Sequence, residues 1–210
     1  MPLVCLLLLC TLASAGTFSD VPADHWAAAS IEALCAGDVL QGNPDGLYRG
    51  QDAMVRNEYA VLACRLLAQA PNYTKPEGTA ELPFSDVRDG HWATAAIAEL
   101  YRANVVQGTP DGLFKGDQPL GRYDFAALTA RLLEVVLGPE ATQAERTDKP
   151  FADVPADHWA APGLRLLLAH RILQGTPDEQ FQGEKPLARY DFAVAGARLL
   201  KLIYATRPAE

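Results

Sequence analysis

Apolar residues recur at helical spacing in six short stretches, and the six fall into three matching pairs. Trp26, Ile31 and Leu34 share one face of a first stretch, echoed by Trp92, Ile97, Leu100 and by Trp159, Leu164, Leu167. The second member of each pair opens on an arginine. In the first pair it runs from about Arg56 to Leu67, with Tyr59, Ala63, Leu66 and Leu67 along one side. Between the members lies a Gly-x-Pro-Asp-Gly turn, Gly42 to Gly46 and Gly108 to Gly112, whose Pro and Gly are expected to stop the first helix. Two amphipathic helices of about twelve residues bury too little to stand alone. The pattern therefore predicts an all-α protein in which three helix-loop-helix units close on one another into one domain.

The repeat has further landmarks. Phe18-Ser-Asp-Val21 returns as Phe84-Ser-Asp-Val87 and Phe151-Ala-Asp-Val154, and His25-Trp26-Ala27 returns at 91–93 and 158–160. Every landmark steps by 66 and then 67 residues, a register chance does not maintain. Residues 18–50 do not resemble 51–83, which disfavours a solenoid of half-length units. The expected divisions are a leader at 1–15, repeats at 16–68, 84–137 and 151–201, linkers at 69–83 and 138–150, and a tail at 202–210.

The leader is inferred from Leu3 to Leu12, an apolar run too short to span a bilayer, followed by Ala13-Ser14-Ala15. It lacks the usual positive residues but otherwise predicts export, with cleavage before Gly16 and no membrane-spanning segment afterwards. Only ten residues follow Leu200, so the chain is expected to carry no cargo domain of its own. The net charge of −8 removes any broad positive field for nucleic acid or an anionic membrane, and a bound anion must be held by local arginines. Cys35 and Cys64 outlast the leader and are expected to face each other within the first repeat, bonded or merely adjacent.

Arg56, Arg122 and Arg189 are the leading candidates for chemistry. A cation at a helix N-terminus opposes the helix dipole at a cost of about 0.3–1 kcal/mol, and the chain accepts that cost three times. A carboxylate gripped by guanidinium and free helix amides would offset it. An ion pair to a neighbouring repeat's acid is the alternative. Trp26, Trp92 and Trp159 read first as core, with stacking on sugar faces as a second use at a groove edge. Gly42, Gly108 and Gly175 are expected to end the first helices in a left-handed conformation, where they also let a ligand approach the backbone. Asp45, Asp111 and Asp178 read mainly as turn formers with hydroxyl binding as a lesser role, and Asp20, Asp86 and Asp153 as partners of their own loop amides. His25, His91 and His158 invite a zinc on a threefold axis, but each adjoins a tryptophan at a helix start, which favours a structural part. There is no nucleophile elbow, phosphate loop or zinc motif, and no acid pair stands apart from its copies. No catalytic residue and no cofactor are assigned.

Phe-x-Asp-Val, His-Trp-Ala, Gly-x-Pro-Asp-Gly and an Arg-x-acid opening a helix, in that order three times, resemble the surface-layer-homology family across about residues 18–200. The resemblance implies a pseudo-threefold domain with grooves between its lobes. It implies non-covalent binding there of a cell-wall polysaccharide, either a pyruvylated secondary wall polymer or a peptidoglycan-linked glycan. It also implies residence at the wall, the cell surface or the periplasmic envelope. A structural or adaptor protein that binds an envelope partner is the other expectation. One departure stands out: the family's Thr-Arg-Ala-Glu reads here as Val55-Arg-Asn-Glu58, Gly121-Arg-Tyr-Asp124 and Ala188-Arg-Tyr-Asp191, so the capping hydroxyl is gone while the acid remains. Repeat 3 departs most, with Glu179 in place of Gly46 and Gly112 and with Pro162 early in its first helix.

Overall fold

The structure, a computed structural model, describes residues 18–43, 45–76, 81–138, 151–174 and 178–207. The leader, most of the second linker and Gly175 lie outside these residues. Six helices follow in order: α1 (Ala28–Ala36), α2 (Arg56–Leu67), α3 (Thr94–Arg102), α4 (Arg122–Leu137), α5 (Ala161–Ala169) and α6 (Arg189–Ala205). Each repeat contributes a short helix and then a longer one, and α6 continues past residue 201, the expected close of the third repeat. Among the described residues there is no strand, and no helix is long and apolar enough to cross a membrane.

The short helices end before the glycines expected to stop them. Asp38, Asn104 and Arg171 take left-handed conformations at φ of 56°, 58° and 57°. The next amide reaches back in each case, from Val39 to the Leu34 carbonyl, Val105 to Leu100 and Ile172 to Leu167. This is a Schellman closure, with the apolar residue after the turn buried. Asp and Asn tolerate the left-handed region, whereas Arg171 enters it at more strain. Gly42 and Gly108 stand six residues beyond the helix ends. Only Gly108 has positive φ, and the place a Cβ would occupy on either is taken by the ring of Phe18 or Phe84.

The helices do not pair within repeats. Instead α2 packs on α3, α4 on α5, and α6 returns to α1, so each long helix supports the short helix of the next repeat and the last supports the first. This arrangement overturns the expected Cys35–Cys64 contact: Cys35 sits on α1 against α6, Cys64 on α2 against α3, and both are free thiols. Burial beside Glu99 pushes the Cys64 thiol up to about 12.

At the centre the three long helices bring together the rings of Tyr59, Phe125 and Phe192, with centroids 5.9–6.3 Å apart. The segments that precede these helices close a second triangle through the backbone. Met54 donates to the Leu187 carbonyl, Leu187 to Leu120, and Leu120 to Met54, at 2.8–2.9 Å, and all three side chains are fully buried. Pseudo-threefold order is therefore built into the core itself.

Candidate functional site

The junctions between repeats follow from how the long helices begin. Their N-cap residues Val55, Gly121 and Ala188 are extended and have no capping side chain. The first amides are nonetheless satisfied. Arg56 and Asn57 donate to the carbonyls of Gln118 and Gly116, Arg122 and Tyr123 to those of Lys185 and Gly183, and Arg189 and Tyr190 to those of Asp52 and Gly50. A loop of the neighbouring repeat thus takes the part of the missing hydroxyl. The anion cradle expected from free helix amides is absent, because these amides are occupied.

Each arginine reaches into that same neighbour. Arg56 Nε donates to the Phe114 carbonyl at 2.9 Å, Arg122 Nε to Phe181 at 2.9 Å, and Arg189 Nε to Tyr48 at 3.0 Å. Each guanidinium lies 5.0–5.2 Å from the ring of the residue it bonds, as a cation–π contact. Arg122 pairs with Asp191 at 2.8 Å and Arg189 with Glu58 at 2.5 Å. Arg56 has no carboxylate within ion-pair distance among the described residues. Burial draws its pKa below the ordinary arginine value, and the more distant Asp124 works against that shift. The arginines therefore fasten repeat to repeat.

The tryptophans reverse the core expectation. Trp26, Trp92 and Trp159 are 60–61 % exposed, because they precede the first helical turn by two residues and the buried stripe begins after them. Two cavities at the repeat junctions concern the residues named above. The first is a groove of about 260 Å³ lined by Arg122, Asp191, Gln174, Arg198, the ring of Phe181 and, across from them, Trp26. Here an arginine and a tryptophan foreseen from sequence share one site, though they come from the second repeat and the first. A second cavity, about 480 Å³, opens at the junction of Asn57 with the second repeat.

Residues 17–60, 83–126 and 150–193 each match the S-layer homology domain. The chain belongs to the S-layer homology domain family. It is 32 % identical over 150 residues to a cellulosome-anchoring protein of Acetivibrio thermocellus, covering 71 % of this chain and 32 % of that protein. It is 30 % identical over 190 residues to the S-layer protein sap of Bacillus anthracis, covering 87 % of this chain and 21 % of sap. Similarity extends to an uncharacterized cell wall amidase of Bacillus anthracis, 31 % over 183 residues, 84 % of this chain and 31 % of the relative. The chain thus spans about a third or less of these relatives.

Within the S-layer homology repeats the aspartates divide the labour. Asp45 binds Arg49 and accepts the Leu47 amide, and Asp111 pairs with Lys115 at 3.4 Å, so both brace their own turns. Asp20, Asp86 and Asp153 accept two amides each at 2.7–2.8 Å from residues 28 and 29 positions onward, and the Asp20 and Asp153 carboxyls are also lowered by their own amides. Burial raises the Asp20 and Asp153 carboxyls, but the amides outweigh it and hold both below the usual carboxylate range.

The residues after the arginines escape a reading of the sequence for site residues. Tyr123 and Tyr190 lie on Gly183 and Gly50, where any Cβ would overlap the ring. Each ring stacks 4.2 Å from an imidazole, Tyr123 on His158 and Tyr190 on His25, and touches the adjoining tryptophan at 5.9 and 5.7 Å. Asn57 occupies the third such place. The sequence does hold a signal for them, a glycine 66 or 67 residues from its copies at positions 50, 116 and 183.

Proposed function

We propose that this chain binds a cell-wall polysaccharide non-covalently, anchors itself at the cell envelope as an exported protein, and performs no chemistry on the polymer. The observation that carries this reading is the Arg122–Trp26 groove. A sugar presents an apolar C–H face and a rim of hydroxyls. The groove offers an exposed indole facing a fringe of guanidinium, carboxylate and amide groups. Trp92 and Trp159 give the same platform at the copies. Arg56, Arg122 and Arg189 are then glycan contacts through N–H groups not engaged by the neighbouring repeat. Gly42, Gly108, Asp45 and Asp111 shape the turns beside them. Anchoring is also what the name cellulosome-anchoring protein describes for one relative. A pyruvylated secondary polymer or a peptidoglycan-linked glycan fits the fringe of donors.

Co-sedimentation with purified wall sacculi tests the reading. Binding is expected to fall after chemical removal of the pyruvyl groups or of the attached polymer, and again in Trp26→Ala, without loss of fold. Retention that ignores the polymer and depends on an envelope protein would replace this reading with an adaptor role. Release of reducing sugar would end the claim that no chemistry occurs.

A further inference from the structure

The cavity at the Asn57 junction is not a copy of the Arg122–Trp26 groove, and none of the three junction arginines or the three tryptophans lines it. Asn57, Asp86, Arg88, His91, Lys115 and Asp117 supply its polar walls. At the two matching places a tyrosine ring fills this space and covers the histidine. Asn57 is shorter and is held down, 4 % exposed, with its Nδ2 donating to Asp117 Oδ1 at 2.9 Å. The face of His91 that its counterparts commit to tyrosine is therefore turned to the cavity.

The wall groups differ in what they have left to offer. Asp86 engages both oxygens with the amides of Phe114 and Lys115, and Asp117 engages one with Asn57. His91 Nδ1 accepts the Ala93 amide, which places the proton of a neutral ring on Nε2, as a donor. Lys115 has three N–H donors and an ion pair to Asp111 at 3.4 Å, which leaves N–H groups for the cavity. Arg88 brings a guanidinium found in neither other repeat, where Pro22 and Pro155 stand. Three donor side chains, Arg88, His91 and Lys115, thus share the wall with two carboxylates whose oxygens already accept N–H groups.

We infer that this cavity is a separate anion subsite, taking a carboxylate or phosphate oxygen group through Arg88, His91 Nε2 and Lys115, with Asn57 as the residue that opens it. The inference deepens the wall-polymer reading and rests on it for the source of the anion: the acidic substituent of the glycan sits here, away from the indole platforms. The subsite itself holds or fails separately.

The experiment is a titration of the full chain with sodium glucuronate and, separately, with inorganic phosphate, followed by ¹H–¹⁵N NMR of the His91 ring and the Lys115 amide. Saturable shifts at these two sites with either probe are expected, and the probe that saturates first identifies carboxylate or phosphate. Asn57→Tyr, which installs the residue of the other two junctions, is expected to abolish the shifts. Arg88→Ala, on an exposed side chain, should weaken them about tenfold and keeps the test alive if the first variant does not fold. No saturable shift with either probe, or unchanged affinity in both variants, overturns the inference. Sacculus binding read in parallel separates the two claims. If Asn57→Tyr still sediments as wild type does, the indole grooves act alone and the subsite does not hold the polymer. If wild type shows His91 shifts but no sedimentation, the subsite stands and the wall-polymer reading falls.

Discussion

At two junctions a tyrosine is clamped between a glycine and an imidazole; at the third, an asparagine in the same position leaves a cavity. The backbone is the same in all three, down to the pair of amides that each long helix donates to its neighbour. What differs at the clamped position is one side chain, with Arg88 nearby in place of Pro22 and Pro155, and it changes the balance between stability and access. Tyr123 and Tyr190 are buried and link the histidine, the tryptophan and a ring of the adjoining repeat into one aromatic cluster. Asn57 contributes a hydrogen bond and an opening. All three junctions hold the assembly through backbone and arginine contacts, and the pseudo-symmetry of the fold lets one of them leave a cavity.

Truncating these side chains gives the largest contrast. Tyr190→Ala is expected to cost about 3–4 kcal/mol in urea unfolding, as for other buried aromatics, and Tyr123→Ala nearly as much. Asn57→Ala should cost only about 1 kcal/mol, the worth of its hydrogen bond to Asp117. Equal losses would mean that the rings do not hold the junctions.

The arginines rank next. Arg189→Ala removes a largely buried donor from Glu58 and from the Tyr48 carbonyl and should destabilise by about 2 kcal/mol. Arg122→Ala should cost about 1 kcal/mol, since Asp191 is more open to water and rehydrates once freed. Arg56→Ala, with no carboxylate at ion-pair distance among the described residues, should fall at or below that. Melting curves on the three variants check the order. Removing a cation from a helix N-terminus relieves a dipole penalty, but that gain is smaller than the worth of the hydrogen bonds the guanidinium makes to the next repeat.

Acid provides a finer test of the tyrosine junctions, whose neighbouring loops are held by Asp20 and Asp153. Their carboxyls titrate lower in the folded protein than in the unfolded chain. Their contribution is therefore present at neutral pH and is lost as pH falls from about 4 through the lowered folded values. The stability gap between wild type and Asp20→Asn should be full at pH 7 and should close as pH falls below about 4. A gap that widens in acid would contradict the assignment.

The smallest expected effect concerns the least regular repeat. Glu179 sits at φ 55° where Gly46 and Gly112 sit at 73° and 72°. Glu179→Gly should raise the melting temperature, by the equivalent of about 0.5–1 kcal/mol, since glycine enters this region without the Cβ penalty. Gly46→Glu should lower it by a similar amount.

The repeats and the helices are legible in the sequence because both rest on local periodicity: α2 begins and ends where its apolar face predicts. Partner choice is not legible there. The two helices of a repeat look matched in pattern, yet α2 turns to α3, since the loops set direction and pattern sets only which face is buried. The tryptophans mislead for a related reason. Their spacing to Ile31 and Leu34 is helical, but the backbone at Trp26 is still a turn, so the periodicity does not apply there. Tyr123, Tyr190 and Asn57 read as variants of a family motif, and only their juxtaposition with glycines of the next repeat gives them a role.

The handover of every long helix to the next repeat also fixes how many repeats this architecture can hold. In a solenoid each unit leaves a free face for another, so the array can lengthen. Here α6 uses that face on α1, and the backbone triangle of Met54, Leu120 and Leu187 has three corners, all occupied. A fourth copy would find no vacant docking face, and a chain of two would leave one long helix and one short helix without partners. Three is thus the closing number of a ring rather than the length of a row.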